Sequence, residues 1–244
     1  MTRGQGASGV QIEVLVTEDC PHRTATLARV RNVAGRLVPA AEVAETIVAS
    51  DEDARRLRFP GSPTVRVEGR DLEGGVARPA ALACRTYEGV GTPPEWLVEA
   101  GLLRALEPRF ILFLCVANAA RSQMAEGLAR ALAPEGVRVG SAGSAPARRS
   151  ERATRALAEL GIDISDQFSK GMDAFDDAPV DTVITLCAEE VCPAWLGQAH
   201  RVHWGLLDPG AAEGTEAEQL AVFRTVRDEL RRRLEALFGR TLGS

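Results

Sequence analysis

The chain has little histidine: three residues, His22, His200 and His203, among 244. That is too few for a His-rich metal centre, and no bound metal is expected. It has no long apolar run. The longest, residues 110–117 (FILFLCVA), falls short of the ~18–20 residues that a membrane-spanning helix needs. The first residues, MTRGQGASGVQ, hold no apolar core of signal-peptide length. No membrane association is therefore expected, and the cytoplasm is the expected location. There is no excess of positive charge either. The chain sets 29 Lys+Arg against 34 Asp+Glu, a net −5, with a pI of 5.4. A broad basic face is thus lacking, and nucleic acid is not an expected partner. The five cysteines are an odd number in a chain long enough to bury a core without staples. This argues against a secreted disulfide scaffold and for thiols kept in a reducing compartment.

What is present is an ordinary globular composition, 45% apolar and 26% charged, in a length that suits one large domain or two small ones. The pattern reads as two α/β units in series. The first opens with a buried strand at residues 11–17, followed by a helix over residues 24–37 with Leu27, Val30, Val33 and Leu37 on one face. A strand at residues 45–49 and a short acidic helix (DEDARRLRF) come next, then Pro60-Gly61-Ser62-Pro63. TVRVEGRDL alternates as a hairpin turning at Glu68-Gly69-Arg70, and a helix runs from Pro93 to about Leu106. Pro108 breaks that helix. The second unit starts at the continuous apolar run from Phe110, typical of a central parallel strand buried on both faces. A helix over residues 121–133, the strands VRVGSAG, DTVITLC and HRVHWGL, the helix ERATRALAEL and a long final helix over residues 215–239 complete it. Strands alternating with helices imply a mostly parallel sheet covered on both faces. The expected domains are residues 1–106 and 109–244.

Residues 115–122, CVANAARS, form a C-x5-R-S segment where a buried strand gives way to a helix. The amides of Val116, Ala117, Asn118, Ala119 and Ala120, with Arg121 and Ser122, can make an anion nest at the positive end of the helix. The same field stabilises a thiolate at Cys115. Arg121 can grip two oxygens of a tetrahedral oxyanion, Ser122 can donate to the sulfur, and Asn118 tolerates a left-handed backbone. The plain alternative is a buried cysteine next to a surface arginine. Asp208-Pro209 follows the last strand, where Asp208 can serve as general acid for a leaving oxygen. Cys187 ends the third strand of the unit, on the sheet edge where ligands bind, and Cys192 lies five positions further along, after the four intervening residues AEEV. The two can be a zinc pair, two structural thiols or a thiol relay with Cys115.

The loop resembles the phosphate-binding loop of low-molecular-weight protein tyrosine phosphatases. With VITLC…CP and HWGLLDP it is similar to the arsenate reductases of that fold that are recycled by thioredoxin. The likeness implies a four-stranded parallel sheet in a three-layer α/β/α domain. It also implies a three-thiol mechanism with arsenate as substrate, phosphate or sulfate as analogues, Cys115 as nucleophile, Asp208 as acid, and Cys187 and Cys192 as the relay. No cofactor is bound in such enzymes; thioredoxin or a low-molecular-weight thiol donates electrons. Here Ala117 replaces the usual glycine. In some members a monovalent cation braces the loop through positions matching Asn118, Glu126 and Ser141 and an acidic residue. Lys170 falls near that acidic position, so no potassium dependence is expected. The rival activity is phosphomonoester hydrolysis by a phosphatase, for which Gln123 after Arg-Ser and the single tyrosine, Tyr87 outside the domain, are departures. A non-catalytic arsenic or thiol sensor is the third reading.

The first unit resembles a thioredoxin-like domain in two motifs: Cys20-Pro21-His22-Arg23 between strand and helix, and Ser62-Pro63-Thr64, which matches a cis-proline loop. Arg23 stands where the second cysteine of such a motif would be. Cys20 and Cys84 can be a redox pair, Cys20 can act alone, or both can be inert in a docking module. As a redox domain, the unit could itself be the reductant.

Overall fold

A computed structural model describes residues 9–74, 79–188, 195 and 197–243. The chain divides into two compact units, Met1–Leu106 and Glu107–Ser244.

Unit 1 is built on a four-stranded sheet in the order β2-β1-β3-β4. β1 (Gln11–Val16) runs parallel to β2 (Glu42–Ile47) and antiparallel to β3 (Thr64–Val67), which turns into β4 (Arg70–Asp71). The turn residues Glu68 and Gly69 both have positive φ, +50° and +71°, the twist that a two-residue hairpin requires. The sheet is thus mixed, because the hairpin follows directly on a parallel pair. β2 starts three residues earlier than the apolar pattern suggests. It is an edge strand whose residues are exposed or half-buried, so no apolar run marks its start. Helix α1 (Arg23–Leu37) packs on α3 (Glu95–Leu106) and on β1. α2 (Asp51–Arg56) covers the opposite face, where Leu15, Val48, Ala54 and Phe59 cluster. The Ser62–Pro63 peptide is cis, as the motif leads one to expect.

Unit 2 carries a four-stranded, wholly parallel sheet in the order β6-β5-β7-β8. Its strands are β5 (Phe110–Cys115), β6 (Arg138–Gly143), β7 (Thr182–Cys187) and β8 (His200–Leu206). All six residues of β5 are buried, which is why its apolar run is unbroken. Helices α4 (Arg121–Leu132), α5 (Glu151–Ala158) and α6 (Glu216–Phe238) pack on one another. Phe110, Leu112 and Leu114 face the other way, under Met172 and Phe175 of a 3-10 turn and under Trp195. Among the described residues this face is covered by that turn and by loops. The strand-ordered sheet sends the carboxyl ends of all four strands to one edge.

Candidate active site

The site grows out of the end of β5. Cys115 is its last residue and is buried. The chain then leaves the sheet through residues 116–120 and enters α4 at Arg121. Asn118 adopts φ +44°, a left-handed conformation that asparagine tolerates better than most side chains. α5 and α6 begin with side-chain caps from Ser150 and Thr215, whereas α4 has Ala120 at that position and no side-chain cap. The first amides of a helix need partners, and here no side chain of the chain supplies a cap.

The outer side of the loop is fastened. Ala145 N donates to Val116 O, Ala147 N to Ala117 O and Ser150 N to Ala119 O, each at 2.9 Å. Ser169 Oγ donates to Asn118 O at 2.7 Å. With four successive carbonyls held outward, the peptide planes turn the loop's amides toward the centre, the arrangement that binds anions. Gly143, the last residue of β6, closes against this loop. A Cβ there would overlap Val116 O and come within 2.8 Å of Asn118 N, so the approach admits only glycine.

Two polar groups address the Cys115 sulfur: Asn118 N donates to Sγ at 3.2 Å, and Ser122 Oγ is hydrogen-bonded to it at 2.9 Å. Behind them runs a buried network. Asn118 Nδ2 donates to Ser122 Oγ and to Ser141 Oγ, both at 2.8 Å, and Ser141 Oγ donates to Glu126. Asn118 Oδ1 accepts from Gln123 Nε2 at 3.1 Å and from Lys170 N at 2.8 Å. The Glu126 carboxylate, 1% exposed, is paired with Arg130 at 2.5 Å and with the Lys170 ammonium at 3.5 Å. That ammonium also donates to Phe168 O at 3.0 Å. A protein cation therefore stands beside the Glu126 carboxylate, which also accepts from Ser141.

Arg121, 4% exposed, donates from Nη1 to Leu206 O at 3.1 Å, and its Nη2 lies 3.6 Å from Asp208 Oδ1. Asp208 follows β8 and caps the 3-10 turn Pro209–Ala211 by accepting from Gly210 N at 3.1 Å. Its side chain is 39% exposed, open enough to exchange a proton with a bound group. Cys187 ends β7 as a buried thiol. Leu114 pairs with Thr185, and across a bulge Cys187 pairs with Leu206, the residue whose carbonyl holds Arg121. Cys115, Arg121, Ser122, Asp208 and Cys187 thus meet at one sheet edge, as their spacing implies. Cys192 lies outside the described residues. In unit 1, Cys20 follows β1 and Cys84 lies opposite Ser62.

Sequence reasoning misses Gly143, Ser169 and the fastening segment 145–150. The first had a signal, the small-residue run SAGS at the end of a strand. The last acts through backbone groups and has none.

A profile of the low molecular weight phosphotyrosine protein phosphatase family matches residues 110–243. An arsenate reductase of Halalkalibacterium halodurans is 44% identical over 132 residues, 53% of this chain and 95% of that protein. A glutaredoxin arsenate reductase of Synechocystis is 36% identical over 132 residues, 53% of this chain and 96% of that protein. A solved arsenate reductase in a phosphate-binding state is 36% identical, covers 53% of this chain and 96% of its own, and superposes with a TM-score of 0.46. Through its second unit, this chain belongs to the low molecular weight phosphotyrosine protein phosphatase family.

Proposed function

We propose that the chain is an arsenate reductase that converts arsenate to arsenite with its own thiols. The observation that carries the reading is the convergence of Cys115, in a capless anion loop, and Cys187, at the end of the next strand. Relatives up to 44% identical are named for that activity. Hydrolysis of a phosphate ester needs the first thiol but not the second.

The steps balance as follows. The Cys115 thiolate attacks arsenic, and an arsenate oxygen leaves as water after protonation from Asp208. Arg121 and the loop amides hold the remaining oxygens. Cys187, as thiolate, attacks the Cys115 sulfur. The S–As electron pair stays on arsenic, arsenic(V) becomes arsenic(III), and arsenite departs as a Cys115–Cys187 disulfide forms. Cys192 then attacks Cys187, returns Cys115 to its thiolate and leaves a Cys187–Cys192 disulfide for a reductant of the thioredoxin, glutaredoxin or low-molecular-weight thiol class. Unit 1, as a thioredoxin-like module, is a further source of electrons. Each exchange needs an in-line thiolate and a good leaving sulfur, and the donors on Cys115 make it one.

Arsenate-dependent NADPH oxidation tests this, coupled through thioredoxin and its reductase or through glutaredoxin and glutathione. Turnover by the full chain that disappears in Cys115→Ser and in Cys187→Ser supports it. Aryl phosphate hydrolysis that survives Cys187→Ser, without arsenate turnover, replaces it with the phosphatase reading.

A further inference from the structure

Unit 1 holds two cysteines that the arsenate chemistry does not use, Cys20 and Cys84, and both are tied to Ser62. Cys20 stands in the turn between β1 and α1. Its N–H donates to Thr17 O and its carbonyl accepts from Arg23 N, both at 3.2 Å. Ser62 reaches this turn with its side chain: Thr17 N donates to Ser62 Oγ at 3.0 Å. With its backbone, Ser62 holds a second segment. Ser62 N donates to Ala83 O and Arg85 N donates to Ser62 O, both at 2.8 Å, a parallel bridge that sets Cys84 opposite Ser62.

Residues opposed in such a bridge send their side chains to the same side of the sheet. Ser62 points at the start of the Cys20 turn, so Cys84 projects on the side where Cys20 lies. The bridge is built in rather than incidental. Gly61 adopts φ +136°, and a Cβ on it would come within 3.0 Å of Ala83 O and 3.1 Å of Arg85 Cβ. Further along, the buried Tyr87 donates from its hydroxyl to Pro63 O at 3.1 Å, and Gly91 packs where a Cβ would overlap the His22 ring. The 83–91 segment is hydrogen-bonded to Ser62 and Pro63 and packs through Gly91 against His22. Cys20 is half-buried and Cys84 exposed, so both thiols are within reach of a partner. Arg23 pairs with Glu45 at 2.5 Å. Its guanidinium is held above its ordinary range by that hydrogen bond first, and also by the charges of Glu45 and Glu18. A resolving thiol for Cys20 therefore has to come from another segment.

We propose that Cys20 and Cys84 are the attacking and resolving thiols of a redox pair. The Cys20 thiolate attacks one sulfur of a partner disulfide, and the other partner sulfur leaves as thiolate and takes up a proton. Cys84, as thiolate, then attacks Cys20, closing a Cys20–Cys84 disulfide and releasing the second partner sulfur. Two electrons pass from the pair to the partner, and a glutathione-type thiol or a reduced dithiol protein restores the pair. The partner is a protein disulfide of the kind that arsenate reduction leaves behind. That last assignment rests on the proposed function; the pair itself does not.

The test uses the full chain carrying Cys115→Ser, Cys187→Ser and Cys192→Ser, which leaves Cys20 and Cys84 as its cysteines. It is equilibrated in glutathione buffers of rising disulfide fraction, quenched with a maleimide and mapped by mass spectrometry. Both thiols are expected to vanish together in one two-electron transition that yields a Cys20–Cys84 peptide link. The wild-type chain mapped in the same way should give the same link. Adding Cys84→Ser should leave Cys20 as a glutathione adduct. Two separate adducts, or two thiols that persist in excess glutathione disulfide, would overturn the pair. No arsenate is present, so a chain unable to reduce arsenate would leave this result unchanged.

Discussion

At the scale of single residues, the site rests on a few donors placed around the sulfur that the proposed reaction uses as thiolate. Ser122 Oγ is 2.9 Å from the Cys115 sulfur, and hydrogen bonds to charged groups are worth about 1.5–3 kcal/mol. Ser122→Ala should therefore slow alkylation of Cys115 by iodoacetamide at neutral pH by roughly 10- to 150-fold. It should leave Cys20 alkylation unchanged, as rates read site by site from mapped peptides will show. Lys170 sets a second expectation. Its ammonium lies 3.5 Å from the buried Glu126 carboxylate and donates to Phe168 O at 3.0 Å, the service that a small bound cation could otherwise supply. Melting temperature and turnover should then be the same in potassium and in choline salts, whereas Lys170→Ala should lose about 1–3 kcal/mol of stability. A potassium-dependent gain in the unaltered chain would show that Lys170 does not fill that role.

At the scale of elements, what could be read depended on whether packing leaves a mark on side chains. β5, buried on both faces, announces itself as FILFLC, and the final helix by its three- and four-residue steps. The left-handed Asn118 follows from residue type. β2 is less legible because an edge strand need not be apolar, and the bridge of Ser62 to Cys84 is invisible because two loops make it with backbone groups. The fastening of residues 116, 117 and 119 by backbone amides of residues 145–150 is hidden for the same reason. Ion pairs between helices are also illegible, though one has a measurable consequence. Glu159, just after α5, accepts from Arg224 and Arg227 of α6. Those bonds, Arg224 first, hold its carboxyl down to about 2 from an ordinary 4.5. A depressed carboxyl stabilises the fold above its unfolded value, and that stabilisation is lost as pH falls toward the folded one. The α5–α6 contact should weaken as pH drops from about 4.5 to about 2. Glu159→Gln should melt below the parent at neutral pH and converge with it at acid pH, as thermal melts across that range will show. A constant gap would contradict the pairing.

At the scale of the whole molecule, the small count of histidines, the acidic balance and the odd number of cysteines come together. With a net charge of −5, the proposed anion binding has to be local, made by loop amides and Arg121 rather than by a field over the surface. The cysteines divide between the units: Cys115, Cys187 and Cys192 in the second, Cys20 and Cys84 in the first. With the redox pair proposed for the first unit as electron source, one chain would set its concentration toward the acceptor on the order of millimolar, a gain that separate proteins lack. The central claim is that the chain's own thiols carry the two electrons that reduce arsenic. The most direct measurement mixes the fully reduced chain carrying Cys20→Ser and Cys84→Ser, which leaves only the thiols of the second unit, with stoichiometric arsenate and no other reductant, quenches with iodoacetamide, and maps disulfides while arsenite is counted. The account predicts one arsenite per chain with a Cys187–Cys192 disulfide, and a Cys115–Cys187 disulfide in the Cys192→Ser variant. Arsenate recovered intact with every thiol of the second unit alkylated would contradict it.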